Sequence, residues 1–242
     1  MPIEAGAAIA QTAEETLIDQ AAFDRASDRL IAVDPRLALL VEVAGRPVLR
    51  RRAAGFSGLA AMIVAQQVSA ASARAIFARL ETALEGTITP HAVLAAGPEG
   101  LRAAGLSTPK IRYLLDIAGR IEAGIIDLDA IAALPSDTAR EHLVALPGIG
   151  AWTADVYLLF ALGRADAFPE GDLALQVAAS EALGLERRCH ALGLKAIAED
   201  WRPWRGVAAQ LLWAFYSARR ANMPAEMMPG TPIAPDAPMV TP

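Results

Sequence analysis

Two glycines behind a proline, set between two helical segments, constrain this chain more tightly than any other feature. The run is Leu146-Pro147-Gly148-Ile149-Gly150-Ala151-Trp152-Thr153-Ala154-Asp155. Upstream, Ser136 is placed to cap a short helix that contains Glu141 and reaches Val144. Downstream, 154–162 is almost unbroken apolar sequence, which after a glycine turn reads as a buried helix. A tight hairpin must join the two. Gly148 and Gly150 allow positive φ and, without Cβ, close approach by another chain. The N–H groups opening the second helix then face outward with the positive end of its dipole, a site for an anion and above all a phosphate. An αα-corner closed by a glycine C-cap, with no ligand, accommodates the same residues.

The remainder of the chain reads as helix throughout. Phe23, Ala26, Leu30 and Ile31 share one face of 16–33, and Asp34-Pro35 ends that helix and starts another. Two helices are expected over 55–68 and 69–84, the second with Ile76, Phe77, Leu80 and Leu84 on one face. Two more follow over 98–104 and 108–122, broken at Gly105, with Ile111, Leu114, Leu115, Ala118 and Ile121 as a stripe and Lys110 and Arg112 off it. After the hairpin come 172–183, 190–200 and 205–219. Sustained period-two alternation is missing, so the fold class is all-α. The segments 1–14 and 222–242 have no apolar period; the first is expected to be poorly ordered and the second is a Pro-rich tail, leaving 15–221 as the folded part.

The helix after the hairpin leads into Ala167-Phe168-Pro169-Glu170-Gly171-Asp172-Leu173-Ala174-Leu175-Gln176. Two other stretches belong with it: Ile63-Val64-Ala65-Gln66-Gln67-Val68-Ser69, and Trp201-Arg202-Pro203-Trp204-Arg205 followed by Trp213. Together these resemble the helix-hairpin-helix base-excision glycosylase superfamily, and within it the 3-methyladenine DNA glycosylase II branch. The likeness spans roughly 54–219 and is far more specific than any one piece.

That resemblance implies two helical lobes flanking a DNA-binding cleft, the first segment returning to pack with the last helices. It implies a monofunctional glycosylase that flips alkylated bases out of duplex DNA and hydrolyses the N-glycosidic bond, with Asp172 as the catalytic carboxylate. Glu170 is a candidate helper. Trp152 and Trp213 match base-pocket positions, Tyr157 is a looser match, and Val156 stands where some relatives have tyrosine. The DNA-contacting set is Leu146, Gly148, Ile149, Gly150, Thr153, Gln66, Gln67 and Ser69, with Gln66 or Gln67 filling the gap left by the extruded nucleotide. The carbonyls of Leu146 and Ile149 are where such hairpins hold a monovalent cation; no other cofactor is required. Read as residues alone, Asp172 is equally a helix cap, the two glutamines are surface amides, and Trp201 and Trp204 are core.

Composition narrows the alternatives. The formal net charge of −5 is unusual for a nucleic-acid binder, so local clusters must carry the contact: Arg50-Arg51-Arg52, Lys110 with Arg112, Arg187-Arg188, and Arg202 with Arg205. The single cysteine, Cys189, rules out an internal disulfide and a four-cysteine iron–sulfur cluster, and the three histidines lack ligand spacing. Neither a signal-peptide core nor a long apolar span is present, so the expectation is a cytoplasmic monomer that binds damaged double-stranded DNA and no membrane. Two rivals are a bifunctional glycosylase/lyase for oxidised bases and a helix-hairpin-helix module that binds DNA without chemistry. Against the first, Trp152 occupies the position where bifunctional relatives carry a lysine.

Overall fold

A computed structural model of the protein describes residues 14–221; the expectations for 1–13 and 222–242 lie outside the described residues. Twelve α-helices are described: α1 (Gln20–Val33), α2 (Ala38–Ala44), α3 (Gly55–Ala65), α4 (Ala70–Ala83), α5 (Pro90–Ala103), α6 (Thr108–Glu122), α7 (Leu128–Ala133), α8 (Ser136–Val144), α9 (Ala151–Phe160), α10 (Leu173–Ala182), α11 (Ala191–Ala198) and α12 (Arg205–Ala221). Among the described residues the only β pairing is one bridge, between Thr16 and Arg164. The all-α expectation therefore holds.

Local chemistry sets most boundaries. Asp19 caps α1 by accepting from the N–H of Ala22, and Asp34 ends that helix and caps the following turn through the N–H of Arg36. Phe23, Ala26 and Leu30 are fully buried, as their spacing requires. Three expectations need correction. Helix α3 stops at Ala65 rather than 68, because Gln67 takes φ +55. The helix expected over 98–104 is the second half of α5, which begins at Pro90 and breaks at Gly97, where φ is +60. Ser136 does not cap α8: Pro135 holds the cap position, the hydroxyl of Ser136 is buried without a partner, and its N–H donates to Glu14 at 3.2 Å.

The packing divides the helices into two lobes. Helices α1, α2, α10, α11 and α12 pack on one another, and α3 to α9 form the second group. The first lobe is thus built from both ends of the described chain, which crosses between lobes over 45–54 and again over 161–172. Ties at the seam are polar as well as apolar. The N–H of Leu17 donates to Gly163 O at 2.7 Å, and the Arg51 guanidinium donates to the carbonyls of Leu17 and Ala161. Arg205 donates through two nitrogens to the carboxylate of Asp166, which Arg202 also meets. Arg51 and Arg205, expected in a basic strip, are therefore committed inside the fold, and Arg202, though exposed, is ion-paired with Asp166 and Glu199.

Candidate active site

The hairpin between α8 and α9 is anchored from below by the buried side chains of Leu146 and Ile149, and the Ile149 N–H donates to Leu146 O at 3.1 Å. Gly148 sits at φ +80, and a Cβ there would lie 2.3 Å from Cδ2 of Tyr113 in α6. Gly150 differs from the sequence reading: its φ is −87, it is the N-cap of α9, and an added Cβ would meet nothing within 4 Å. Its use is the open space, not a special backbone conformation. No side chain caps α9, so its first N–H groups are left for an outside acceptor.

These facts separate two substitutions. Gly148→Ala should cost about 1–3 kcal/mol from the clash alone and distort the hairpin. Gly150→Ala should leave thermal stability almost unchanged yet weaken duplex binding by at least tenfold. Denaturation midpoints and binding isotherms for both variants check this; equal stability losses would contradict it.

The turn after α3 packs beside the hairpin. Gln66 caps α3, and its Nε2 donates to Gly148 O at 2.8 Å, so this side chain struts the two loops apart at fixed distance. Gln67 is exposed, in the left-handed region, and Ser69 caps α4 through the N–H of Ser72. Lys110, expected at the surface for phosphates, is instead buried and donates to Val64 O at 2.7 Å; desolvation lowers its pKa. Arg112 is exposed as expected.

Asp172 is the residue before α10, at the end of the second crossover, and so stands where the lobes meet. Its Oδ1 accepts from the Leu175 N–H at 3.0 Å and its Oδ2 from the Trp152 indole N–H at 2.8 Å. The cap reading therefore holds, and the same half-buried carboxylate also meets the hairpin side of the fold through the Trp152 indole. Trp152, in the first turn of α9, brings the hairpin against this group. Trp213 is half-buried on α12 and stacks on Phe160 of α9, ring centroids 5.7 Å apart.

Other predicted residues fall elsewhere. Tyr157 is 1% exposed, and its hydroxyl accepts from the Gly55 N–H at 2.8 Å; it supports the start of α3 and cannot line a base pocket. Burial raises its phenol pKa. The Thr153 side chain is buried, which leaves only its backbone for DNA, and Val156 is in the core. Trp201 is core as read, donating to Asp34 at 3.0 Å, while half-buried Trp204 donates to Glu15 at 2.8 Å.

Sequence reasoning missed a charged group under the site. Arg140 on α8 donates to both oxygens of Asp155 on α9, at 2.6 and 3.1 Å, and lies 3.7 Å from the carboxylate of Glu170. Burial pushes the Asp155 carboxyl up to about 6, against the pull of the Arg140 guanidinium. Glu170 is in the loop that delivers Asp172, so this cluster fixes the loop to the helices flanking the hairpin. Among the described residues no group of three or more His, Cys, Asp or Glu could hold a metal ion, and no helix is long and apolar enough to cross a membrane.

A two-lobed helical fold with a capless hairpin beside a seam carboxylate defines a class. Residues 60–203 match the profile of the HhH-GPD superfamily base excision DNA repair proteins, and the chain belongs to that family. Among curated relatives, a probable bifunctional transcriptional activator/DNA repair enzyme AlkA of Mycobacterium tuberculosis is 49% identical over 75 residues. That match covers 31% of this chain, and the chain spans only 14% of the relative's length. The crystal structure of a DNA-3-methyladenine glycosidase from Bacillus halodurans superposes with a TM-score of 0.74 at 29% identity, over 87% of this chain and 95% of that one. The 3-methyladenine DNA glycosylase Mag1 of Schizosaccharomyces pombe, in complex with abasic DNA, gives 0.68 at 28% identity, over 78% and 95%.

Proposed function

We propose that this protein is a monofunctional DNA glycosylase that extrudes alkylated, 3-methyladenine-like bases from duplex DNA and hydrolyses their N-glycosidic bond. The observation that carries the reading is Asp172, a carboxylate fixed by an indole and a helix N-terminus at the seam, one residue contact away from the hairpin. Departure of the base builds positive charge on the sugar. A carboxylate about 4 Å away is worth roughly 4 kcal/mol at an effective dielectric near 20, about a thousandfold in rate. The functions named for the Bacillus halodurans and Schizosaccharomyces pombe relatives support the same chemistry.

The other groups take roles consistent with it. The N–H groups of the hairpin and of the first turn of α9 hold a backbone phosphate, which positions the duplex without reading sequence. The Leu146 and Ile149 carbonyls are hard oxygen donors of the kind a monovalent cation takes; such a cation would stiffen the hairpin, and no step of the reaction passes through it. Gln67, exposed and unanchored, fills the gap in the stack, whereas Gln66 is occupied by Gly148. The faces of Trp152 and Trp213 receive the flat, often cationic base, with stacking worth about 1–3 kcal/mol and a cation–π term of about 0.5–2 kcal/mol. Extrusion costs a few kcal/mol, least for a damaged base. The protein acts as a cytoplasmic monomer.

Strand cleavage through a Schiff base needs an amine at C1′. The chain has only two lysines: Lys110 is buried on Val64 O, and Lys195 lies on α11. Incubation with methylated and hypoxanthine-containing duplexes should therefore yield intact strands with abasic sites, cut only by later alkali, and borohydride should trap no adduct. Efficient trapping would overturn the monofunctional assignment; absence of base release from every alkylated duplex would overturn the glycosylase reading itself.

A further inference from the structure

An acidic chain that holds a polyanion has few cations to spare, and this fold spends most of its own internally. Nine arginines, among them Arg140, Arg164 and Arg205, are ion-paired with carboxylates. Arg51 and Arg79 donate to backbone carbonyls, and Lys110 is buried. Arg112 is different. It is exposed and has no carboxylate partner among the described residues; its guanidinium lies 5.3 Å from the ring centroid of Tyr113. That ring is the one Gly148 packs against. One aromatic side chain thus supports the hairpin and carries an unneutralised cation beside it.

A ring contact of this kind restrains a guanidinium without cancelling its charge, so less rotamer freedom is lost when an anion arrives. The neighbouring hairpin offers N–H groups and the positive end of α9, and two such groups side by side match the repeating charge of a nucleic-acid backbone. We propose that Arg112 is a second backbone-phosphate ligand, held by Tyr113 next to the hairpin and gripping a different phosphodiester from the one bound by the hairpin. This rests on the reading that the ligand is duplex DNA.

The test is the salt dependence of binding to an undamaged duplex between about 50 and 200 mM salt, for the full chain and three variants. Arg112→Gln should weaken binding roughly tenfold near 0.1 M salt and reduce the slope of log K against log salt by about 0.9. Arg112→Lys should keep the slope, and Arg25→Gln, an exposed arginine on α1, should match the wild type. An unchanged slope for Arg112→Gln, an equal loss for Arg25→Gln, or an Arg112→Lys variant that loses as much slope as the Gln variant would each overturn the proposal while leaving the glycosylase reading intact. A wild-type protein that does not bind duplex at all would overturn both.

Discussion

Asp172→Asn should lower single-turnover release of an alkylated base by about a thousandfold while duplex binding stays within a few-fold of wild type. The substitution keeps the shape and removes the charge that, on the proposed mechanism, opposes the cationic sugar. It has a structural cost as well, because both carboxylate oxygens already accept hydrogen bonds, from Leu175 and from the Trp152 indole. An amide has a single acceptor oxygen, so one of these donors is left facing an NH₂ group, at about 1–3 kcal/mol. The variant should therefore melt earlier and still fold. Rate and melting temperature measured on the same preparation separate the two roles: a stable variant with a rate within tenfold of wild type would remove Asp172 from the chemistry.

Arg140→Gln should be the most destabilising single change near the site, at about 3–5 kcal/mol, because it leaves the buried Asp155 carboxylate without its two-point partner. The sign of its pH dependence follows from Asp155. In the folded protein this carboxyl titrates near 6, above its ordinary 3.8, so between those values the native state binds the proton more tightly than the unfolded chain. The Asp155 contribution is therefore most favourable below the ordinary value and declines as pH rises to about 6. Removing Arg140 raises the folded value further and carries the decline to higher pH. The variant should accordingly be impaired less at pH 5 than at pH 8 in urea titrations, and Asp155→Asn added to Arg140→Gln should recover much of the loss. Equal impairment at both pH values would mean that the carboxylate charge is not what Arg140 neutralises.

Much of this arrangement was legible in the residues. The hairpin, Asp172 as a helix cap and the all-α class depend on local spacing, and local spacing survives folding; Asp172 as a site residue came from the family resemblance alone. The fate of Lys110 was also within reach: the reading that sets it off the α6 stripe is corrected by its place four residues before Leu114, which puts it on the inward face despite its charge. A long stem that ends on a carbonyl resolves that conflict. Tyr157 was not readable, because every position from Thr153 to Phe160 is buried and such a helix has no polar face to orient it. The Arg140–Asp155 pair was hidden for another reason. Its members are on successive helices, and the crossing that brings them together is a property of tertiary packing.

The discontinuous first lobe has a consequence for synthesis. Helices α1 and α2 are made first, yet α12, against which both pack, is made last. The contiguous lobe from α3 to α9 has all its own partners and can condense while the rest of the chain is still being extended. It contains the hairpin and the turn beside it, but not Asp172. On the proposed function, a nascent chain would acquire the hairpin that holds DNA before the carboxylate that acts on the sugar, because Asp172 takes its place only when the two ends of the described fold have packed together.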